Sequence, residues 1–179
     1  MARIGRDLVA QARMLATSEP RRPKQATLRR AVSTAYYGLF HFLIEESTTL
    51  LFGTGQSDAA FRQLAARAFV HARMKSVCTE FVKPNPLQVN PLLRELWQRF
   101  AIVNSQPARL VAQSFIDLQD DRHAADYDMA VSFSRQDALI AVTRVEQALG
   151  AWRQLKAGSP ETCRLFGMAM VLWPGLAGR

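Results

Sequence analysis

Two polar stretches hold most of the side chains with which this sequence could do chemistry. One is Leu118-Gln-Asp-Asp-Arg-His-Ala-Ala-Asp-Tyr-Asp128, and the other is Arg29-Arg-Ala-Val-Ser-Thr-Ala-Tyr-Tyr-Gly-Leu-Phe-His41. Together they contain all three tyrosines and two of the three histidines. An arginine can grip a phosphate through paired N–H donors, and a histidine can pass a proton near neutral pH. Arg122, His123 and His41 are therefore the candidate catalytic residues. Arg122, Asp126, Tyr127, Tyr37 and Arg30 form the candidate binding set. Tyr37 and His41 are four residues apart and share a helix face. The two stretches are expected to meet in space, with that face turned toward Arg122 and Asp126.

Each residue also has a purely structural reading. Five carboxylates lie between Asp117 and Asp128. They make the run net acidic, a poor RNA surface by itself; they can hold Arg122 in an ion-pair network, pin the last two helices together through charge-assisted bonds, or face the basic N-terminal region of the same subunit or a partner. His123 can be a simple surface histidine and His41 a packed one. Asp117, Asp120 and Asp121 lie on about one helical turn, but no Gly-containing calcium loop accompanies them. No histidine is spaced with them for zinc, so no metal site is expected. There is no Gly-rich phosphate loop, and no cofactor is implied.

The elements that must position these residues read as helices throughout. Ile4, Leu8, Ala12 and Leu15 predict a helix over 3–18, and Pro20 and Pro23 break it. Leu28, Val32, Ala35, Leu39, Phe42 and Leu43 predict a long helix over 25–52, with Tyr36 and Phe40 widening its apolar stripe. It should be central and touched on several faces. Gly53 and Gly55 stop it. Ser57 is the expected cap of a helix over 58–82 with Phe61, Leu64, Ala65, Ala68 and Ala72 inward. Asn90 before Pro91 starts the next helix, whose core set is Leu92, Leu93, Leu96, Trp97 and Phe100. Asn104-Ser-Gln-Pro107 interrupts, and the following helix should end near Asp121. Ser134 and Asp137 form a capping-box start for a helix over 135–157 that buries Leu139, Ile140, Val142, Val145, Leu149 and Trp152. Ser159-Pro160 begins a last helix over 160–172, stopped by Pro174 and Gly175. No strand alternation is present. The expected fold is all-α: one domain, an antiparallel bundle of four to five main helices with short terminal additions.

The 179 residues suffice for one core. The net charge is +8, and residues 1–30 carry eight basic side chains against two acidic ones, +6 of that total. A basic end on a near-neutral body points to an anionic partner, nucleic acid first; a solvated surface is the alternative. Cys78 and Cys163 are too few for a disulfide scaffold, which fits a reducing cytoplasm. No signal-peptide core and no run long enough to cross a bilayer is present. Leu165–Trp173 is expected to pack on the bundle or across a dimer rather than on a membrane.

The order Arg30-Ala-Val-Ser-Thr-Ala-Tyr-Tyr-Gly-Leu-Phe-His41, then Arg122-His-Ala-Ala-Asp-Tyr-Asp128, then a long final helix, resembles a HEPN domain over residues 25–157. The branch it resembles carries an Ala-Tyr-Tyr-x-x-Phe-His helix and a later Arg-x-x-Ala-Asp-Tyr-Asp. That resemblance implies a helical bundle that forms homodimers. It also implies RNA-directed chemistry, often in toxin–antitoxin or defence systems. Active members carry an arginine and, after four to six residues, a histidine, at a groove between two subunits. They cleave RNA without metal, using its 2′-hydroxyl as nucleophile. Here the residue after Arg122 is His123, and Asp126-Tyr127 stands at the motif's place.

Three functions follow as expectations: an RNA- or nucleotide-interacting protein with a degenerate nuclease motif, a metal-independent ribonuclease using Arg122 with His123 or His41, and a protein-interaction module. The last would partner a nucleotidyltransferase-like or defence protein.

Overall fold

The Arg30–His41 stretch sits on the helix around which the others are built. In the computed structural model, which describes residues 3–19, 21–102 and 105–177, the chain is all-helical. Its elements are α1 (Arg3–Thr17), α2 (Gln25–Phe52), α3 (Ala59–Ala66), α4 (His71–Val82), α5 (Pro91–Arg99), α6 (Gln106–Tyr127), α7 (Arg135–Gly158) and α8 (Pro160–Ala177), with one 3-10 turn at Pro86–Gln88. The described residues thus form eight α-helices, not four to five with short additions. Pro20 and Asn104, expected in interruptions, lie outside the described residues.

α2 packs against α1, α3, α6, α7 and α8, so the wide apolar stripe of its sequence does what such a stripe must. Leu28, Val32, Ala35, Tyr36, Leu39, Phe42 and Leu43 are all buried. α1 lies on α2 unusually closely. A methyl group on Gly38 would stand 2.8 Å from Val9 Cγ2 and 3.2 Å from the Gly5 carbonyl oxygen. Glycine at both crossing points, with Ala12 and Ala16 fully buried beyond them, lets the two backbones approach. Gly53 ends α2 at φ 84°, ψ −178°, a conformation that L side chains rarely adopt.

The expected helix over 58–82 is two helices. Its proposed apolar set and its actual one are out of phase. Ala65, Ala68 and Ala72 lead on toward Lys75 and Thr79, whereas Met74, Val77, Cys78 and Phe81 are the residues buried. The chain therefore breaks at Arg67–Val70, where Phe69 enters the core. Asp58, not Ser57, precedes α3. Phe61 and Leu64, expected inward, are 60% and 67% exposed.

The expected end of α6 at Asp121 is also corrected. The helix runs to Tyr127, because the polar run contains neither Gly nor Pro, and Leu118 and Ala125 continue its buried stripe. α8 likewise continues through Pro174 to Ala177. There Asn90 Nδ2 donates to the Leu176 carbonyl at 3.1 Å and holds the last turn. Among the expected core residues, Ile4, Phe100 and Ile140 are exposed. The caps at Asn90 and Ser134 form as expected. Asn90 Oδ1 accepts from the amides of Leu92 and Leu93, and Ser134 with Asp137 closes a full capping box.

Candidate functional site

The two polar stretches meet where α6 crosses α2. Arg122 Nε lies 2.7 Å from Asp126 Oδ2, one turn on along α6. Its Nη2 donates to the Tyr37 hydroxyl at 3.1 Å. The guanidinium also lies 5.7 Å from the Tyr37 ring centre and 5.3 Å from that of Tyr127, within the range of cation–π attraction. From α2, the Ser33 hydroxyl donates to Asp126 Oδ1 at 2.5 Å. Burial disfavours the Arg122 charge, but Tyr37 and Asp126 overcome this and raise its pKa.

Arg29 explains why α6 can end here. Its Nη1 donates to the carbonyls of Ala124 at 3.4 Å and Ala125 at 2.9 Å, and its Nη2 to Asp128 at 2.9 Å and to Val131. A cation is thus set on the carbonyls at and just beyond a helix C-terminus. Gln25 adds a two-way bond to the Phe133 backbone at 2.8 and 2.9 Å. These contacts fix the register of α2 against α6.

The carboxylate run does not form one network about Arg122. Asp117 and Asp121 turn to Arg144 of α7, at 3.5 and 2.8 Å. Asp120 turns to Lys75 of α4. Asp128 Oδ1 accepts the Ala130 amide at 2.9 Å. Only Asp126 serves Arg122. Among the described residues, no group of three or more His, Cys, Asp or Glu is arranged to hold a metal ion.

His71 was not among the sequence candidates. As the first residue of α4, it enters this cluster with Nδ1 2.5 Å from the Tyr36 hydroxyl. Its ring packs 4.1 Å from that of Phe40 and 6.0 Å from that of Tyr37. Burial lowers its pKa, with Arg122 and His41 adding to the effect. Burial pushes the Tyr36 phenol in the opposite direction, upward. The pair is thus a neutral imidazole on a neutral phenol. The only available signal was that His71 is the one remaining histidine.

His41 and His123 separate. The His41 ring stands 5.3 Å from Phe40 and 6.4 Å from Tyr37, and burial lowers its pKa against a smaller upward pull from Glu45. His123 is exposed and rests 5.1 Å from the Tyr127 ring. Tyr37 links the cluster to an open groove of about 470 Å³ between α1 and α2, lined also by Leu8, Leu15, Arg30, Thr34 and His41. Arg30 is exposed and has no carboxylate partner among the described residues. The same is true of Arg6, Arg21 and Arg22, whereas Arg13 is paired with Glu146 at 2.8 Å.

No helix among the described residues is long and apolar enough to cross a membrane. Comparison with family models, with characterised proteins and with solved structures finds no match for the chain.

Proposed function

We propose that this chain is a HEPN-like helical protein that binds single-stranded RNA or a nucleotide along the Arg30–Tyr37–His41 face of α2. In this reading it acts by binding rather than cleavage, as a component of a toxin–antitoxin or defence-type system. The observation that carries the reading is Arg30, an exposed guanidinium without a carboxylate partner among the described residues, lining one groove with two aromatic rings. A free cation is what a phosphate requires. Tyrosine and histidine faces are what an unpaired base stacks on. Arg122 is a poorer phosphate ligand, because Asp126 and Tyr37 already occupy it. Its part is to hold Tyr37 in place. Exposed Arg6, Arg21 and Arg22 supply the wider positive field.

The test is a binding titration with labelled single-stranded RNA over a range of salt concentrations. The expected result is affinity that falls as salt rises, with Arg30→Ala weakening binding and reducing the salt slope by about one. The reading carries with it the homodimer implied by the resemblance, which sedimentation at micromolar concentration checks.

A metal-independent ribonuclease is the second reading, and one observation favours it. His71 supplies a neutral imidazole beside Arg122, the combination that proton transfer next to a phosphate needs. Incubation with structured RNA in chelator separates the two readings. Cleavage that Arg122→Ala and His71→Ala both abolish supports the nuclease; binding without cleavage supports the first reading.

A further inference from the structure

The polar face of α2 does not end at His41. One turn further on it presents Glu45, then Thr48 and Thr49. α3 stands over them and leaves a second cavity of about 610 Å³. That volume is within the range of sites for small molecules and cofactors. His41 lines both cavities, so they adjoin at this residue. Their chemistry differs. Arg30 is the only charged residue lining the first. The second has the Glu45 carboxylate, of which Oε1 accepts the Arg3 amide at 3.2 Å. Arg62 also lines it, but Arg62 Nη1 is bonded to the carbonyls of Gly53 and Gly55 at 2.8 and 3.0 Å. The side chains of Thr49, Thr54 and Gln63 have no hydrogen-bond partner among the described residues. The space thus offers an acceptor-only anion on one wall, uncommitted neutral polar groups beside it, and the remaining N–H donors of Arg62, which a base carbonyl common to cytosine and uracil can meet.

We propose that the cavity between α2 and α3 takes one base of a bound RNA strand and selects bases that carry an exocyclic amine, with Glu45 as the selecting residue. The inference rests on the RNA-binding reading and adds the base specificity of that site. A carboxylate can only accept hydrogen bonds. It therefore favours the amino group of cytosine, adenine or guanine and repels the carbonyl oxygens that flank the single N–H of uracil. His41, neutral because burial lowers its pKa, forms the passage between base and backbone. Arg30 lies fifteen residues before Glu45 on the same helix, about 22 Å away at 1.5 Å per residue. Arg30 therefore holds a phosphate more than one nucleotide away from the selected base.

The experiment compares equal-length oligo(C) and oligo(U), which differ at C4 (amine against carbonyl) and at N3 (acceptor against N–H donor), by fluorescence anisotropy at neutral pH and fixed salt. The full-length protein should bind oligo(C) roughly tenfold more tightly, the discrimination expected of a hydrogen bond to a charged acceptor. Glu45→Gln should bring the two affinities close to parity, because the amide can turn its NH₂ toward uracil. Arg30→Ala should weaken both equally and leave the ratio unchanged. Equal affinities in the wild type, or a preference that survives Glu45→Gln, would overturn the base site while leaving the phosphate reading standing. If neither oligonucleotide binds, the RNA-binding reading itself fails. Cytidine and uridine alone then decide: cytidine must shift the His41 imidazole resonances in the NMR spectrum and uridine must not, and a cytidine without effect ends the proposal.

Discussion

The Tyr36 hydroxyl and His71 Nδ1 stand 2.5 Å apart, joining the buried side of α2 to the first residue of α4. Tyr36 is wholly buried, and its ring also meets Phe40, Phe115 and Tyr37 at 6.0, 5.6 and 5.4 Å. Tyr36→Phe keeps that ring packing and removes only the hydroxyl. The expected cost is about 1–3 kcal/mol, the range for leaving a buried partner unsatisfied. Urea denaturation should show a lower midpoint at an unchanged slope. An unchanged midpoint would mean that the bond contributes nothing to stability.

The same cluster predicts acid sensitivity. His71 and His41 both have pKa values below the ordinary histidine value of about 6.5, with burial as the leading cause. Between the folded and unfolded pKa values the unfolded chain binds more protons, so stability rises with pH across that window. It is fully present above about pH 6.5 and is lost as pH falls through the lowered folded values, where two imidazolium ions would join Arg122. Thermal unfolding between pH 7.5 and 5 should show a falling melting temperature. His71→Gln should make that fall shallower, and equal slopes for the two proteins would remove His71 from the account.

The α1–α2 crossing is sensitive to a single methyl group. In Gly38→Ala the new Cβ meets Val9 Cγ2 at 2.8 Å and the Gly5 carbonyl at 3.2 Å. Alanine favours the helix by about 1 kcal/mol, but overpacking costs about 1–3 kcal/mol, and a backbone oxygen cannot move aside as a side chain can. The expected net effect is destabilisation, with Leu8 and Leu15 displaced from the groove between α1 and α2. Gly150→Ala is the control, since nothing lies within 4 Å of its added Cβ, and it should be neutral or stabilising.

One position can be improved. Ala101 has φ 49° and closes α5 in a Schellman arrangement, with Ile102 N to Trp97 O at 2.8 Å and Ala101 N to Gln98 O at 3.2 Å. Glycine is the usual residue there. Ala101→Gly should stabilise the protein by about 0.5–1 kcal/mol, the left-handed strain that it relieves less the greater freedom of the unfolded chain. A lower denaturation midpoint would contradict this.

Periodicity and local caps were legible where the apolar face they imply is the one the bundle buries; over 58–82 it is not, and Phe61 and Leu64 face solvent. α2 could be placed from residue 25 to 52, and the Asn90 and Ser134 caps could be read from side chains within three residues of their partners. The α3–α4 break was not legible, because no Gly or Pro marks it. What forces it is the phase of Met74, Val77, Cys78 and Phe81 against a core built by other helices. For α6, polarity was mistaken for irregularity. The acidic run is helical because Leu118 and Ala125 carry the buried stripe through it, and Arg29, from a helix nearly a hundred residues earlier, binds the carbonyls at its end. The meeting of Arg122 with Tyr37 and Asp126 was legible, since unusual polar residues in two helices of one bundle tend to face each other. His71 was not legible: it joins Tyr36 only through the path of the chain after Phe69. Nor was the pairing of Asp120 with Lys75 of α4, whereas the tie of Asp117 and Asp121 to Arg144 of α7 is the charge-assisted pinning of helices that the acidic run allows.

In the proposed function, Arg30 is the free cation of an RNA-binding face. The most direct test of this role is the salt dependence of single-stranded RNA binding, measured side by side for the wild type and Arg30→Ala. The account predicts that log affinity falls linearly with log salt concentration, and that removing Arg30 weakens binding and reduces the slope by about one. Affinity indifferent to salt, or a slope unchanged in Arg30→Ala, would contradict it.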